Sequence, residues 1–192
     1  MDRSRLPTFP QFILDEYFWI TSARLPAWSG YQVRGGPYDG VSEEGGSDGT
    51  VQILFAPEGR DQKPLSNHEI ELVKWVIDNQ ADIHDAMLQK LFEEYPAMRE
   101  VALGWFDDEE ARRVLPEMRV PEQLKEIVGI SSINVHTIEQ DGKPFIGVEL
   151  GCTWEVEHGV GILLHGTRPL EIGGADTAIL LWIAEKHAGM QA

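Results

Sequence analysis

The clearest hydrophobic pattern in the chain is helical and extends from Leu65 to Pro96. Apolar side chains recur there at steps of three and four residues, which is the spacing of one face of an α-helix. Ser66 and Glu69 form an S-x-x-E capping box, which predicts the start of this helix, and Pro96 is predicted to end it. The helix is expected either to be continuous or to break near Asn79. The residues predicted to line its buried face are Ile70, Val73, Ile77, His84, Met87 and Leu91.

The opposite face of the same predicted helix is acidic and carries one lysine, Lys74, among its carboxylates. Burying an unpaired carboxylate is costly, so these side chains are expected to face either solvent or a basic partner. We call this set the acidic stripe and predict it as the partner-binding surface. Its members are Glu71, Asp78, Asp82, Asp85 and Glu93.

A pattern of alternating apolar and polar residues predicts a β-hairpin over residues 130–152. Asp141-Gly142 is a strong signal for its two-residue turn. That turn places Val135 opposite Val148 and gathers the apolar side chains on one side. The other side carries polar residues, with Asn134 predicted opposite Glu149.

A second hairpin is predicted over residues 158–173, and here two registers compete. A Gly166-Thr167 turn pairs Ile162 with Glu171. A three-residue loop at 166–168 instead pairs Ile162 with Ile172. The second register is preferred because it buries more apolar surface.

The rest of the chain is predicted as shorter elements. An apolar helix is expected with Asp176 at its N-cap. This helix is predicted to end before Gly189. Residues 35–49, Gly-rich and acidic, are predicted to form a mobile loop. Strands are predicted at 16–23, 30–34 and 50–57, and short helices at 104–120 and 121–129.

Together these elements predict an α+β fold in a single domain spanning residues 1–192. A mainly antiparallel sheet, built from hairpins, is expected to pack against the long central helix and the C-terminal helix. The predicted divisions are N-terminal strands in 1–34, the acidic Gly-rich loop in 35–49, and the main α+β body in 50–189.

The net charge of the chain limits the classes of partner that it is expected to bind. The formal net charge is −16, and residues 35–110 contribute −13 of it, from five basic and eighteen acidic side chains. Such a field repels nucleic acid and anionic membrane surfaces and attracts basic proteins. No nucleic-acid or membrane partner is therefore expected.

The single cysteine, Cys152, excludes an intramolecular disulfide and any multi-cysteine metal site. Together with an N-terminus whose apolar stretch is interrupted by Asp15 and Glu16, it favours a cytoplasmic location. No cofactor and no bound metal are expected, because the histidines are scattered and no zinc-ligand spacing occurs.

The stretch between the two hairpins, "GCTWEVEHGVGILLHG" at 151–166, is the densest cluster of reactive side chains. The favoured interpretation is a structural corner, with Trp154 as its anchor and a charge-assisted hydrogen bond between Glu157 and His158. A ligand or partner site at the same corner is the alternative, and would also include Glu155. Cys152 is predicted to be a buried structural residue, although pairing with His158 would make it a nucleophile.

Residues 48–188 resemble a bacterial family of uncharacterised domains. The resemblance rests on the motif W-[DE]-x-E-H-G-[VL]-G, followed by E-I-G-G-A-D-T. The matching positions here include Trp154, Glu157 and His158, with Glu155 where the family often has Asp. The resemblance implies a fold and no established activity. Some similar domains are immunity-type proteins of bacterial toxin systems.

Three function classes remain open from the sequence. The first is a non-enzymatic, immunity-like interaction protein that binds a basic partner through the acidic stripe. The second is an enzyme, such as a metal-dependent hydrolase, and the third is a structural subunit of a homo-oligomer. The residues that an enzyme would use are His136, Glu149, Glu157 and His158.

Overall fold

A seven-stranded β-sheet organises the chain, which the computed structural model describes over residues 10–15, 18–35 and 40–190. The strands lie in the order β1-β2-β5-β6-β7-β8-β9, and β3 pairs with β4 in a separate two-stranded sheet. Neighbours are antiparallel except β5 and β6. The strands are β1 (Ile13–Asp15), β2 (Phe18–Arg24), β3 (Gln32–Gly35), β4 (Gly40–Gly46), β5 (Thr50–Phe55), β6 (Val128–Gln140), β7 (Lys143–Cys152), β8 (Val160–His165) and β9 (Arg168–Gly173).

The parallel pair β5 and β6 requires a long connection, and helices supply it. These are α1 (Asn67–Asp78), α2 (Gln80–Ala102) and α3 (Asp108–Val114). The predicted capping box is confirmed, since the Ser66 hydroxyl accepts from the Glu69 N–H at 3.3 Å and the Glu69 carboxylate accepts from the Ser66 N–H at 2.6 Å. Of the two alternatives that the sequence left open, the helix breaks, at Asn79.

The prediction that Pro96 ends the helix is wrong, because α2 continues to Ala102. Pro96 is exposed, so water can solvate the carbonyl that loses its intrahelical partner. Neighbouring side chains hold the last turns in place. The Tyr95 hydroxyl donates to the Pro116 carbonyl, and Arg99 Nε donates to the Leu115 carbonyl, both at 2.8 Å.

Helices cover both faces of the sheet, which confirms the predicted α+β class. Helices α1 and α2 bury their apolar residues in the larger core, against side chains such as Ile133 and Val148. On the other face lie α4 (Asp176–Ile179) and α5 (Leu181–His187), where a smaller core contains Phe145, Leu163 and Ile183.

The C-terminal helix differs from its prediction. Asp176 is the first helical residue and Ala175 is the N-cap. Extended backbone at Leu180 divides the expected helix into α4 and α5. Gly189, with a φ of 70°, follows the end of α5 as predicted.

The register of the first hairpin is also corrected. Gln140 pairs with Lys143 across the predicted Asp141-Gly142 turn, but a register shift between Val135 and Glu139 moves the pairing by two residues. Val135 consequently faces Ile146, and the predicted Val135–Val148 pair is wrong. A shift of two keeps Val135 on its predicted face, but a further shift of one between Ile130 and Ser132 places Ile130 opposite Leu150. The predicted Asn134–Glu149 pair is also wrong, because Asn134 pairs with Gly147 and Glu149 pairs with Ser132.

The second hairpin combines features of both competing registers. His165 pairs with Arg168 across a two-residue Gly166-Thr167 turn, which was the less favoured turn. A register shift between Leu163 and Leu164 then restores the preferred pairing of Ile162 with Ile172. One irregularity therefore satisfies both the turn chemistry and apolar burial.

The predicted mobile loop at 35–49 instead contains β4, which pairs with β3; residues 36–39 lie outside the described part. Strands near 16–23, 30–34 and 50–57 are confirmed as β2, β3 and β5, except that residues 16–17 are not described. Strand β1 was not predicted. The segment 104–120 contains α3, whereas 121–129 forms only a 3-10 helix at Pro121–Glu126.

Gly129 does not end the predicted helix at 121–129, because it belongs to strand β6. Its surroundings explain the glycine. A Cβ atom there would lie 2.7 Å from the Gln32 carbonyl oxygen of β3, so a side chain would collide with backbone. The requirement therefore comes from strand β3 rather than from a helix end.

Candidate ligand-binding groove

The corner between β7 and β8 is a tight turn anchored by Trp154. This side chain is buried and meets Tyr95 of α2 edge-to-face, with ring centroids 5.4 Å apart. The Gly159 N–H donates to the Glu155 carbonyl at 2.9 Å, and Gly159 has a φ of 60°. A Cβ at Gly159 would lie 2.5 Å from the Leu150 carbonyl oxygen, so the turn needs glycine at this position.

The polar pair at this corner is Glu155 with His158, not Glu157 with His158. His158 Nδ1 lies 3.1 Å from Glu155 Oε1. Adjacent side chains diverge, whereas this turn places residues three apart on the same side. Glu157 is exposed, and the predicted Glu157–His158 hydrogen bond is wrong.

Beside this corner is a groove of about 550 Å³, within the size range of small-ligand pockets. One wall is the C-terminal end of α2 with Trp105, the last residue of the following 3-10 turn at Leu103–Trp105. The other wall is the corner and the junction between β9 and α4. The lining residues are Ala97, Met98, Val101, Ala102, Trp105, Trp154, Glu155, His158, Gly159, Val160, Gly173 and Gly174.

The groove is mainly apolar, and two of its large side chains face solvent. Val101 is 66% exposed and Trp105 is 59% exposed. Val156, on the adjacent corner, is half exposed as well. Apolar side chains exposed together, with polar groups at their edge, are characteristic of ligand and protein interaction surfaces. The segment that resembled a family motif therefore supplies much of one wall of a concave site.

The acidic stripe is exposed at all five positions. Lys74 approaches Glu71 and Asp78 at 3.8 and 3.6 Å, which are long, solvent-screened ion pairs. On α2 the stripe leads towards the groove. Glu93, Ala97 and Val101 follow one another at four-residue steps, so an exposed carboxylate lies one turn from the groove wall.

The four alternative catalytic residues are not assembled into one site. His136 is fully buried, and the Glu149 carboxylate accepts a hydrogen bond from Ser132 at 3.1 Å. Glu157 is exposed on the corner, and His158 contacts Glu155 instead. Within residues 10–15, 18–35 and 40–190, no group of three His, Cys, Asp or Glu side chains is placed to hold a metal ion.

Cys152 is buried at the end of β7, and its Sγ lies 3.6 Å from the Glu155 carbonyl oxygen. Burial raises the pKa of the thiol to about 12. A thiol that remains protonated is a poor nucleophile, which favours the structural role predicted from its position in the strand.

Sequence reasoning placed His84 on the buried face but missed its polar partners. His84 Nε2 lies 3.0 Å from the Tyr31 hydroxyl, and His84 Nδ1 lies 2.9 Å from Asp85 Oδ1. Burial lowers the pKa of His84 and raises the pKa of Tyr31. Tyr31 is fully buried, so this chain of polar groups joins the residue before β3 to α2 and extends from the core to the exposed Asp85.

The groove wall from α2 was also missed, because the helix was predicted to end at Pro96. Apolar residues such as Met98, Val101 and Trp105 continue beyond that proline at three- and four-residue steps. This spacing was the available signal that the helix continues.

None of the described helices is both long enough and apolar enough to cross a membrane. No curated protein and no solved structure gives a significant match to the chain. A family model described as a domain of unknown function, DUF6985, matches residues 38–180, which is most of the chain and includes the corner and the groove. The chain therefore belongs to the DUF6985 family of domains of unknown function.

Proposed function

We propose that this chain is a non-enzymatic interaction protein that binds a basic protein partner. The observation that carries the proposal is the continuity of two surfaces on α2, where exposed carboxylates of the acidic stripe lead into an exposed apolar groove. Carboxylates at a rim favour encounter with a cationic surface, and an apolar pocket supplies most of the affinity once contact is made.

The charge of the whole chain supports the same partner chemistry. The net charge is −16, and the segment carrying the stripe holds most of it. A field of this size accelerates association with a positively charged protein and discourages association with another acidic copy. Because the Debye length is about 8 Å at physiological ionic strength, binding through the stripe weakens as salt is added.

Immunity proteins, which neutralise a toxin by binding it, are the class of interaction protein that this proposal favours. The resemblance to immunity-type domains supplies that part of the proposal. A toxin gene adjacent to the gene for this chain is the expected genomic arrangement, and its product is the partner to test first.

The test is capture of partners from lysate at low salt, using the wild-type protein and a stripe variant with Asp78, Asp82 and Asp85 changed to Asn. We expect the captured proteins to be basic and to be lost from the variant.

The matched control removes the same number of charges at exposed positions outside the stripe, namely Asp108→Asn, Glu126→Gln and Asp141→Asn. It should retain the partners. Capture of the same proteins by the stripe variant, or no capture by the wild-type protein, would refute the proposal.

A further inference from the structure

We infer that the groove at the end of α2 is a specificity pocket for a basic peptide segment, taking one large apolar side chain while a neighbouring lysine or arginine meets Glu155. The inference rests on the proposed function and deepens it. The acidic stripe explains attraction to any basic protein, whereas the groove selects the segment that binds.

The apolar part of the ligand follows from the groove walls. Met98, Val101 and Trp105 form the α2 side, and Trp154 and Val160 lie on the other side. Water in contact with these surfaces is released when an apolar side chain replaces it, and that release favours binding. Large aromatic or aliphatic residues gain most, because they bury the greatest area.

The basic part of the ligand follows from the polar groups of the groove. Glu155 is half-buried and supplies a carboxylate beside His158, and Glu100 and Glu157 are exposed nearby in sequence. Among the described residues that line the groove there is no lysine or arginine. A cation next to the apolar side chain would therefore meet carboxylates that no strong base in the groove already neutralises.

Gly174 provides a position at which the space beside the groove can be filled. This residue lines the groove and does not have a positive φ, and no heavy atom of the described residues lies within 4 Å of the position a Cβ would take. Neither backbone conformation nor packing requires glycine there. Its neighbour Gly173 differs, since a Cβ would lie 2.5 Å from the Thr177 hydroxyl oxygen. Glycine at 174 leaves space beside the groove that any larger residue would occupy.

The experiment uses two fluorescein-labelled, lysine-rich peptides of about ten residues, one with a central phenylalanine and one with serine in its place. Fluorescence anisotropy gives the affinity of each for the full chain at low and at physiological salt. We expect the phenylalanine peptide to bind about tenfold more tightly, as expected when one large apolar side chain is buried. We also expect this ratio to persist as salt is raised, while both affinities fall.

Variants then locate the binding site. Gly174→Leu should lower the affinity of the phenylalanine peptide to that of the serine peptide. Gly104→Leu is the matched control, since Gly104 also has open space and no positive φ but does not line the groove. Trp105→Ala provides a second test of the groove and should cost little stability, because the side chain is largely exposed.

The outcomes separate the two proposals. Equal affinity of the wild-type protein for the two peptides, or an unchanged ratio in Gly174→Leu and Trp105→Ala, overturns the specificity pocket and leaves the acidic stripe intact. No binding of either peptide at low salt overturns the proposed function itself.

Discussion

His136 should make the stability of the fold depend on pH. Its side chain is 0% exposed in strand β6, and neither ring nitrogen has a hydrogen-bond partner of good geometry among the described residues. Burial lowers the pKa of His136 to about 4, and the backbone at Ala178 offsets part of this effect. The folded protein therefore holds this ring in its neutral form.

The sign and size of the effect follow from linkage. An unfolded chain binds the proton at a pKa near 6.5, whereas the folded chain binds it only near 4. The contribution of His136 is thus complete above pH 6.5 and is lost as the pH falls towards 4. The difference corresponds to about 3 kcal/mol of unfolding free energy. Since a typical domain is stable by only about 5–15 kcal/mol, the loss should be easily measured.

The assay is urea unfolding at several pH values between 7 and 4, for the wild-type protein and His136→Leu. Leucine has no proton to bind, so the variant should lose less stability on acidification. At pH 7 it should be about as stable as the wild type, because replacing an unpartnered buried polar group by an apolar one is close to neutral.

His158→Ala is the control for this assay, because His158 is 75% exposed and its removal should leave the pH dependence intact. The pKa of His84 is also lowered by burial. Because His84 is present in every variant, its contribution to the pH dependence cancels in the comparison. Parallel pH profiles for the wild-type protein and His136→Leu would refute the reasoning.

Three further predictions follow from particular contacts. Gly147→Ala should destabilise the fold by about 1–3 kcal/mol or prevent folding, because its Cβ would collide with the Ala178 carbonyl oxygen of α4; a normal melting temperature would contradict this. Arg60→Lys should lose about 1 kcal/mol in urea titration at pH 7, because Arg60 donates two hydrogen bonds to the Glu69 carboxylate. The pKa of Glu69 is lowered to about 2 chiefly by Arg60, so this loss should shrink as the pH falls from 4.5 towards 2. Trp154→Ala should lower the free energy of unfolding by about 3–5 kcal/mol, whereas Glu157→Gln should leave the melting temperature unchanged; a large effect of the latter would restore the original corner hypothesis.

Much of the fold was accessible from the sequence, because its signals are local. The Ser66–Glu69 capping box joins groups three residues apart, and it begins α1 where predicted. The Asp141-Gly142 turn and the alternating pattern around it predicted the β6–β7 hairpin and its buried face. Interactions of this kind depend only on the backbone geometry of residues that are close in sequence. They therefore form in the folded protein as the sequence predicts.

The exact pairings were not accessible in the same way. The register shift after Val135 and the one after Leu163 leave every turn signal unchanged, yet they decide which residues face each other. Apolar alternation has a period of two, so the two-residue shift after Val135 preserves the pattern and cannot be detected from it. The shift after Leu163 is by one residue and combines the turn of one predicted register with the apolar pairing of the other. Packing against the helices selects one register among those the pattern permits.

The candidate site was decided almost entirely by tertiary structure. The sequence drew attention to Trp154, Glu155 and His158, but their other wall comes from Val101 and Trp105, about fifty residues earlier in the chain. Spacing rules reach only a few residues along a helix or strand, whereas a groove forms where distant elements leave a gap between them. Composition and local pattern therefore determined the charge, the fold class and most elements, and the packing of α2 against the β7–β8 corner determined where the candidate groove lies.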